Sequence, residues 1–145
     1  MRLALLGLLC FPLIATSSCA DDPLPSGGQP TNDTPNFILN VVNESAPRSK
    51  IDITVSIDDQ VVASGDYVCD IPPQPTEASL TLKPGRHKIY AVSHAGESSG
   101  AVVIPTTGRK QYCLVSYWYS PGGKWGTEQL PGFDFRFQDQ PFVFR

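Results

Sequence analysis

The chain lacks the long runs of Leu, Ala, Glu and Lys that build helices, at least after residue 20. It has instead 14 prolines and 12 glycines in 145 residues. Because these residues break helices and mark turns, the composition predicts many short strands joined by turns. Hydrophobic residues make up 41% of the chain and charged residues 17%, a balance that allows a packed core and excludes disorder along the whole chain.

Several sequence motifs that are typical of enzymes are also absent. The sequence contains no P-loop, dinucleotide fingerprint, HExxH or CxxC pattern. The pair Asp58-Asp59 lacks the spaced oxygens and the glycine of a calcium loop. The net charge is only −3 and no basic stretch is interleaved with aromatics, so nucleic acid is not an expected partner. We predict no metal, no cofactor and no enzymatic activity.

The first residues have the pattern of a secretion signal. Arg2 supplies the positive start, and Leu3 to Ala15 form an apolar run of 13 residues that Pro12 interrupts. Such a run is shorter than the roughly 20 residues of a membrane span and matches the apolar region of a signal peptide.

Small residues then precede a cysteine, in the order Ala15-Thr16-Ser17-Ser18-Cys19-Ala20. This segment resembles the lipobox of bacterial lipoproteins, with Thr16 where that family usually has Leu. The resemblance implies a signal peptide over 1–19, lipid on Cys19, and an extracytoplasmic protein anchored to the membrane by more than one acyl chain. Because Ala20 stands where Asp would retain the protein in the inner membrane, the outer membrane is implied for a host with two. Ordinary cleavage after Ala20 is the alternative.

Residues 20–35 are predicted to be a disordered tether. They contain four prolines, two glycines and one large apolar residue, Leu24, too little apolar surface to offset the entropy of ordering. Extended at about 3.1 Å per residue, the segment could reach roughly 50 Å. Asn32-Asp33-Thr34 and Asn43-Glu44-Ser45 match glycosylation sequons, which have no meaning in a bacterial lipoprotein.

From residue 36 onward, alternating patterns predict strands. Residues 37–42 form a first strand, and 51–57 alternate apolar and polar residues as a half-buried antiparallel strand does. Asp58-Asp59 is predicted to be the hairpin turn that follows, and Gly65-Asp66 to mark a bulge in the returning strand. Tyr112 to Tyr119 has no charge, Gly or Pro and is predicted to lie inside a sheet, away from its edges.

Eight or nine such strands predict an antiparallel β-sandwich. The segment Leu82-Lys83-Pro84-Gly85-Arg86-His87-Lys88-Ile89-Tyr90-Ala91 resembles the turn and strand of immunoglobulin-like, transthyretin-like and PEGA-type bacterial modules. The whole 36–145 region also resembles a group of uncharacterised bacterial lipoproteins, through Ile51-Asp52-Ile53, Ile57-Asp58-Asp59 and Tyr117-Trp118-Tyr119. These resemblances imply a fold and no known activity.

Two cysteines are predicted to form a disulfide. If Cys19 carries lipid, Cys69 and Cys113 remain as an even pair in an oxidising compartment. They lie 44 positions apart, and closing a loop of that size stabilises a fold by about 4 kcal/mol in the chain-entropy model.

Ten of the fourteen aromatic residues lie at or after Tyr112. The alternating phenylalanines near the C-terminus are predicted to be core, since they would otherwise expose too much apolar area. Trp118, Tyr119 and Trp125 are predicted to be a candidate ligand surface that stacks on a sugar or grips a partner protein. The alternative is that they close one end of the sandwich.

These features favour a membrane-anchored, non-enzymatic β-sandwich that binds a ligand or serves envelope structure, its partners being the membrane and an envelope protein or glycan. A carbohydrate-binding module is the first alternative. A secreted hydrolase or inhibitor with a site built from the loops Pro72–Pro75 and Ser120–Lys124 is the second. His87 is predicted to cap or pack the turn before it, and His94 to lie exposed at the end of a hairpin.

Overall fold

The computed structural model describes residues 34–145, and Trp125 by its backbone alone. The predicted signal peptide, Cys19 and nearly all of the predicted tether lie outside the described residues. Within 34–145 no helix is long and apolar enough to span a bilayer. The elements in chain order are β1 (Phe37–Asn43), a 3₁₀ turn (Ala46–Arg48), β2 (Lys50–Ile57), β3 (Gln60–Val68), β4 (Thr76–Leu80), β5 (Gly85–Ser93), β6 (Ser98–Thr106), β7 (Gln111–Pro121), a second 3₁₀ turn (Gly123–Trp125) and β8 (Glu128–Gln138).

The strands form two four-stranded sheets, which confirms the all-β sandwich. The β7 sheet has the order β4-β1-β7-β8, and the β5 sheet has the order β3-β2-β5-β6. Five of the six strand pairings are antiparallel. The exception is the parallel pairing of β1 with β7, the two inner strands of their sheet.

β7 is an interior strand, as its composition predicts. Cys113, Val115 and Tyr117 point into the core and are fully buried. Leu114 and Ser116, on the opposite face, are buried as well. Leu114 lines a cleft together with Phe142 and other residues of the C-terminal segment, so the chain after β8 lies against this outer face. Burial on both faces explains why β7 carries no charge.

β2 supplies the other half of the core. Its alternate residues from Ile51 to Ile57 are buried, and the residues between them are half-buried, which confirms the predicted pattern. Ile89 and Ala91 of β5 are fully buried beside them. Of the alternating phenylalanines in β8, Phe133 and Phe135 pack against this core, whereas Phe137 lies at the sheet edge with 37% of its surface exposed.

The hairpin between β2 and β3 has its turn at the predicted residues, but its bulge lies at a different position from the predicted one. Asp58 and Asp59 both have positive φ, at 48° and 65°, the conformation of a tight two-residue turn. Val55 pairs with Ala63 and Ser56 pairs with Val61, so Val62 is the extra residue of the bulge. The predicted bulge at Gly65-Asp66 is wrong, because both residues pair in register. An extra residue at Val62 lets Val62 and Ala63 both pack against the core, which strict alternation would prevent.

The sandwich has two ends, which we name by Asn36 and Tyr119. At the Asn36 end the chain enters β1, and the Asn36 side chain exchanges hydrogen bonds of 2.8 Å with both backbone groups of Leu82. The Gln111 amide donates to the Asn36 carbonyl oxygen at 2.8 Å. Because β1 and β7 are parallel, both run from this end to the Tyr119 end, where Glu44 donates its amide to the Tyr117 carbonyl oxygen.

The predicted disulfide does not form, and Cys69 and Cys113 are both free thiols. Cys69 lies at the Tyr119 end, since its amide donates to the Ser49 carbonyl oxygen. Cys113 pairs with Leu39, in the half of β7 that begins at the Asn36 end. The four residues from Cys113 to Tyr117 span about 13 Å, and a disulfide needs Cα atoms within about 7 Å. Burial raises the pKa of the Cys113 thiol to about 12, so this thiol is unreactive.

Candidate functional site

The Tyr119 end contains a cleft of about 360 Å³ that includes two of the three predicted ligand-surface residues. Trp118 and Tyr119 both line it, so the structure brings this part of the prediction together. The remaining lining is small or polar, and it comprises Glu44, Ala46, Pro47, Ser120, Thr127 and Gln129. Trp125 ends the second 3₁₀ turn nearby in sequence, and its side chain lies outside the described part of the chain.

The pairing of β7 with β8 loses its regular register where Trp118 and Tyr119 line the cleft. Here Trp118 pairs with Gly132 and Ser120 pairs with Gln129, so the β8 side of this stretch holds one residue more. Gly132 has no side chain to cover the indole of Trp118, which is 37% exposed. The Nε1 group of Trp118 donates to the Ser116 hydroxyl at 3.2 Å, and this hydrogen bond orients the indole ring.

The Tyr119 ring is held by a cation. The guanidinium of Arg48 lies over it, 4.7 Å from the ring centroid. The same guanidinium donates to the Ala95 carbonyl oxygen at 2.7 Å and to Glu97 Oε2 at 2.8 Å. One face of Tyr119 is therefore occupied, and Trp118 has the aromatic surface that a ligand could use.

A buried amide shapes the wall of the cleft. The Asn43 Nδ2 group donates to the carbonyl oxygens of Arg48 at 2.8 Å and Tyr67 at 3.2 Å. Its Oδ1 accepts from the Ser45 amide at 3.0 Å, and the Ser45 hydroxyl donates to the Tyr119 carbonyl oxygen at 3.0 Å. These bonds fix the turn after β1 against β7. They also use both amide hydrogens of Asn43, so this sequon is closed to modification in the folded chain.

Glu44 is the charged residue that lines the cleft, and it also lines the neighbouring cleft together with Leu114 and Arg136. Its carboxylate is 15% exposed and lies 3.4 Å from the Arg136 guanidinium, which also approaches Asp134 at 3.4 Å. Together with Gln129 and Ser120, Glu44 gives the cleft an acceptor and donor set beside an indole face. Sequence reasoning missed Glu44, Arg48 and Gln129, because each is a single polar residue whose position depends on strand pairing.

His87 caps a turn, as predicted, and does so with both ring nitrogens. Its Nδ1 lies 2.6 Å from Asp58 Oδ2, and its Nε2 donates to the Lys83 carbonyl oxygen at 2.8 Å. The Lys88 amide donates to Asp58 Oδ1 at 2.9 Å. The hydrogen bond to Asp58 and then that to the carbonyl raise the pKa of His87. The hydrogen bond from His87 lowers the pKa of Asp58.

His94 is exposed at the end of a hairpin, again as predicted. It shares a concavity of about 330 Å³ with Ser93 and Ser98 on the outer face of the β5 sheet. The Ser93 hydroxyl, however, donates to Asp52 at 3.3 Å and accepts from the Gly96 amide at 2.7 Å. Asp52 also accepts from the Ala95 amide at 2.7 Å, and its pKa is lowered mainly by that bond. Ser93 and Asp52 thus hold the hairpin together.

The two loops predicted for an alternative site line different clefts. Pro73 lines a cleft of about 180 Å³ with Leu114 and Phe144, whereas Ser120 lines the Tyr119 cleft. Among the described residues no group of three or more His, Cys, Asp or Glu could hold a metal ion. No protein family, curated protein or solved structure was found to match this chain.

Proposed function

We propose that this protein is a membrane-anchored extracytoplasmic lipoprotein whose β-sandwich binds a ligand without chemically changing it. The observation that supports binding is the Tyr119 cleft, in which a partly exposed indole lies beside a carboxylate and an amide. The anchoring half of the proposal rests on the lipobox-like segment that ends at Cys19. Intact mass measurement of the membrane-extracted protein tests it, because acyl chains on Cys19 add mass that no unmodified terminus has.

A carbohydrate of the cell envelope is the ligand class that this cleft favours. Sugars stack their C–H faces on indole rings and hydrogen-bond to carboxylates and amides at their edges. Trp118 supplies the ring, and Glu44 and Gln129 supply the polar groups. An envelope protein that inserts an apolar side chain beside Trp118 is the second candidate, for which the small residues Ala46 and Pro47 leave room.

The binding half of the proposal is tested with residues 20–145 on an array of envelope glycans, followed by affinity measurement for each hit. We expect Trp118→Ala to weaken binding about tenfold, the loss of one stacking contact worth about 1.4 kcal/mol. Tyr90→Ala is the matched control, because Tyr90 is equally exposed, at 38%, and lies outside this cleft. An array without hits, or an equal loss in both variants, would reject carbohydrate binding at the cleft.

A further inference from the structure

Positive charge is concentrated at the Asn36 end of the sandwich. The turn before β5 and the loop between β6 and β7 meet there, since the Thr106 hydroxyl donates to the Lys83 carbonyl oxygen at 2.8 Å and a side chain at Gly108 would touch Pro84. Five exposed cationic residues lie in these two loops and at the start of β5, half of the ten Lys and Arg within residues 34–145: Lys83, Arg86, Lys88, Arg109 and Lys110.

Few acidic groups oppose them. Asp58 and Asp59 form the neighbouring hairpin turn, and Asp139 follows the end of β8, whose Gln138 pairs with Tyr112. Asp58 is engaged by His87 and by the Lys88 amide. Five cations against three carboxylates give this end a formal charge of +2, with His87 neutral. The remaining five Lys and Arg of residues 34–145 stand against eight Asp and Glu, which gives −3.

The chain also enters the domain at this end. Asn36, the residue before β1, is fixed there by its bonds to Leu82 and Gln111. Sixteen residues, 20–35, separate it from Cys19, and the tether that their composition predicts would have a root-mean-square span of about 20–25 Å. An anchor on Cys19 would therefore keep the basic end, and not the Tyr119 cleft, next to the membrane.

Exposed apolar side chains lie next to the basic residues, on the outer face of the β5 sheet. Lys88 and Tyr90 point to the same face of β5, and Lys88 pairs with Val103 of β6. Tyr90 is 38% exposed and Val103 is 49% exposed. A tyrosine and an aliphatic side chain beside Lys and Arg is a combination suited to the interface between lipid headgroups and acyl chains.

We propose that the Asn36 end docks onto an anionic phospholipid surface and so holds the Tyr119 cleft facing away from the membrane. The lipid phosphates would be bound by Lys83, Arg86, Lys88, Arg109 and Lys110. The proposal rests on the proposed anchoring in one respect only, which is that lipid on Cys19 would keep the domain close to the membrane. The attraction itself belongs to the folded domain and needs no lipid on Cys19.

The test uses residues 20–145, which contain all eight strands and the whole compact unit Asn32–Arg145. Its partition is measured onto vesicles of phosphatidylcholine alone and of phosphatidylcholine with roughly a third phosphatidylglycerol. We expect binding to the anionic vesicles only, and its loss when salt rises from about 0.05 M to 0.5 M, because exposed charges are then screened. The double variant Arg86→Glu/Arg109→Glu should bind at least about tenfold more weakly.

The control is Lys50→Glu/Lys124→Glu, which changes the net charge by the same amount near the Tyr119 end. We expect it to bind within about threefold of the parent, since its substitutions lie away from the docking end. An equal loss in both variants would mean that net charge alone matters, and absence of binding to anionic vesicles would overturn the proposal. Circular dichroism of each variant verifies its fold, and Arg86→Gln/Arg109→Gln serves as a milder version. The result of the vesicle experiment does not depend on whether the mass measurement finds lipid on Cys19.

Discussion

At the Tyr119 end, Asn43, Ser93 and Tyr117 make hydrogen bonds that are buried, whereas the side-chain hydrogen bonds at the Asn36 end are part-buried or exposed. Tyr117 donates its buried hydroxyl to the Gly96 carbonyl oxygen at 3.0 Å, across the sandwich from the β7 sheet to the β5 sheet. Asn43 and Ser93 complete this buried set. The Asn36 end instead has the pair of His87 and Asp58, whose side chains are 13% and 51% exposed.

The difference shows which end is rigid and which is responsive to its surroundings. Buried hydrogen bonds are costly to break, because the freed groups find no water partner. Exposed ion pairs contribute little and depend on pH and salt. We therefore expect the cleft wall to be fixed by the fold, and the basic end to adjust its charge to the solution around it. Three substitutions sharpen this comparison.

The largest effect is expected from Asn43→Ala. It leaves the carbonyl oxygens of Arg48 and Tyr67 and the amide of Ser45 without the partners they have now. Since each buried unsatisfied group costs on the order of 1 kcal/mol or more, we expect a loss of about 3 kcal/mol in the free energy of unfolding, measured in urea. Ser64→Ala, which removes an exposed hydroxyl bonded to Thr54, is the control and should cost under about 0.5 kcal/mol. Similar losses in both would contradict the comparison.

Gly96→Ala should come next, at about 2 kcal/mol. A Cβ there would lie 2.5 Å from the Ser93 hydroxyl oxygen and 2.8 Å from a ring carbon of Tyr117, so the buried network must move apart. Gly65→Ala is the matched control, because Gly65 lies in β3 with nothing within 4 Å of an added Cβ. We expect the control to be neutral or slightly stabilising. Thermal unfolding of both variants measures the difference, and a neutral Gly96→Ala would show that the network is loose.

The smallest effect is expected from His87→Gln, and it should depend on pH. The pKa of His87 is raised above its ordinary value of 6.5 by Asp58 and by the Lys83 carbonyl oxygen, so its contribution is fully present below pH 6.5 and lost as pH rises through the raised pKa. The pKa of Asp58 is lowered from 3.8, so its contribution is present above that value and lost as pH falls through the lowered pKa.

The gap in melting temperature between the parent and His87→Gln should therefore be largest near pH 5 and smaller near pH 9. Asp58→Asn provides the reciprocal variant, in which the same dependence should become smaller, because only the hydrogen bond to the Lys83 carbonyl oxygen then raises the pKa of His87. A gap that stays constant from pH 5 to pH 9 would mean that His87 acts by packing alone.

Local patterns were enough to predict much of this fold. The alternation over β2 predicts a half-buried strand, and two successive aspartates that tolerate positive φ predict its turn. The predicted bulge and disulfide failed for a shared reason. Whether Gly65 opposes its partner in register, and whether Cys69 comes near Cys113, depends on which strands pair and how far they are offset.

The candidate site was only half predictable for the same reason. An aromatic pair beside a glycine-rich loop marked Trp118 and Tyr119 as unusual. Nothing local distinguishes Glu44 or Gln129 from other exposed polar residues, because they reach Trp118 only through strand pairings. The basic end was missed as well, since its cations lie in two separate loops that the sequence does not show to be neighbours.

The sequence by itself determined that this chain forms two apolar-faced layers of strands, because a period of two residues and a supply of turn residues are properties of adjacent positions. Only the tertiary structure decided that β1 runs parallel to β7, that the two thiols lie apart, and that charge gathers at one end while an indole lines a cleft at the other. Those features depend on residues far apart in the chain, and their positions are set by the combined packing of both sheets.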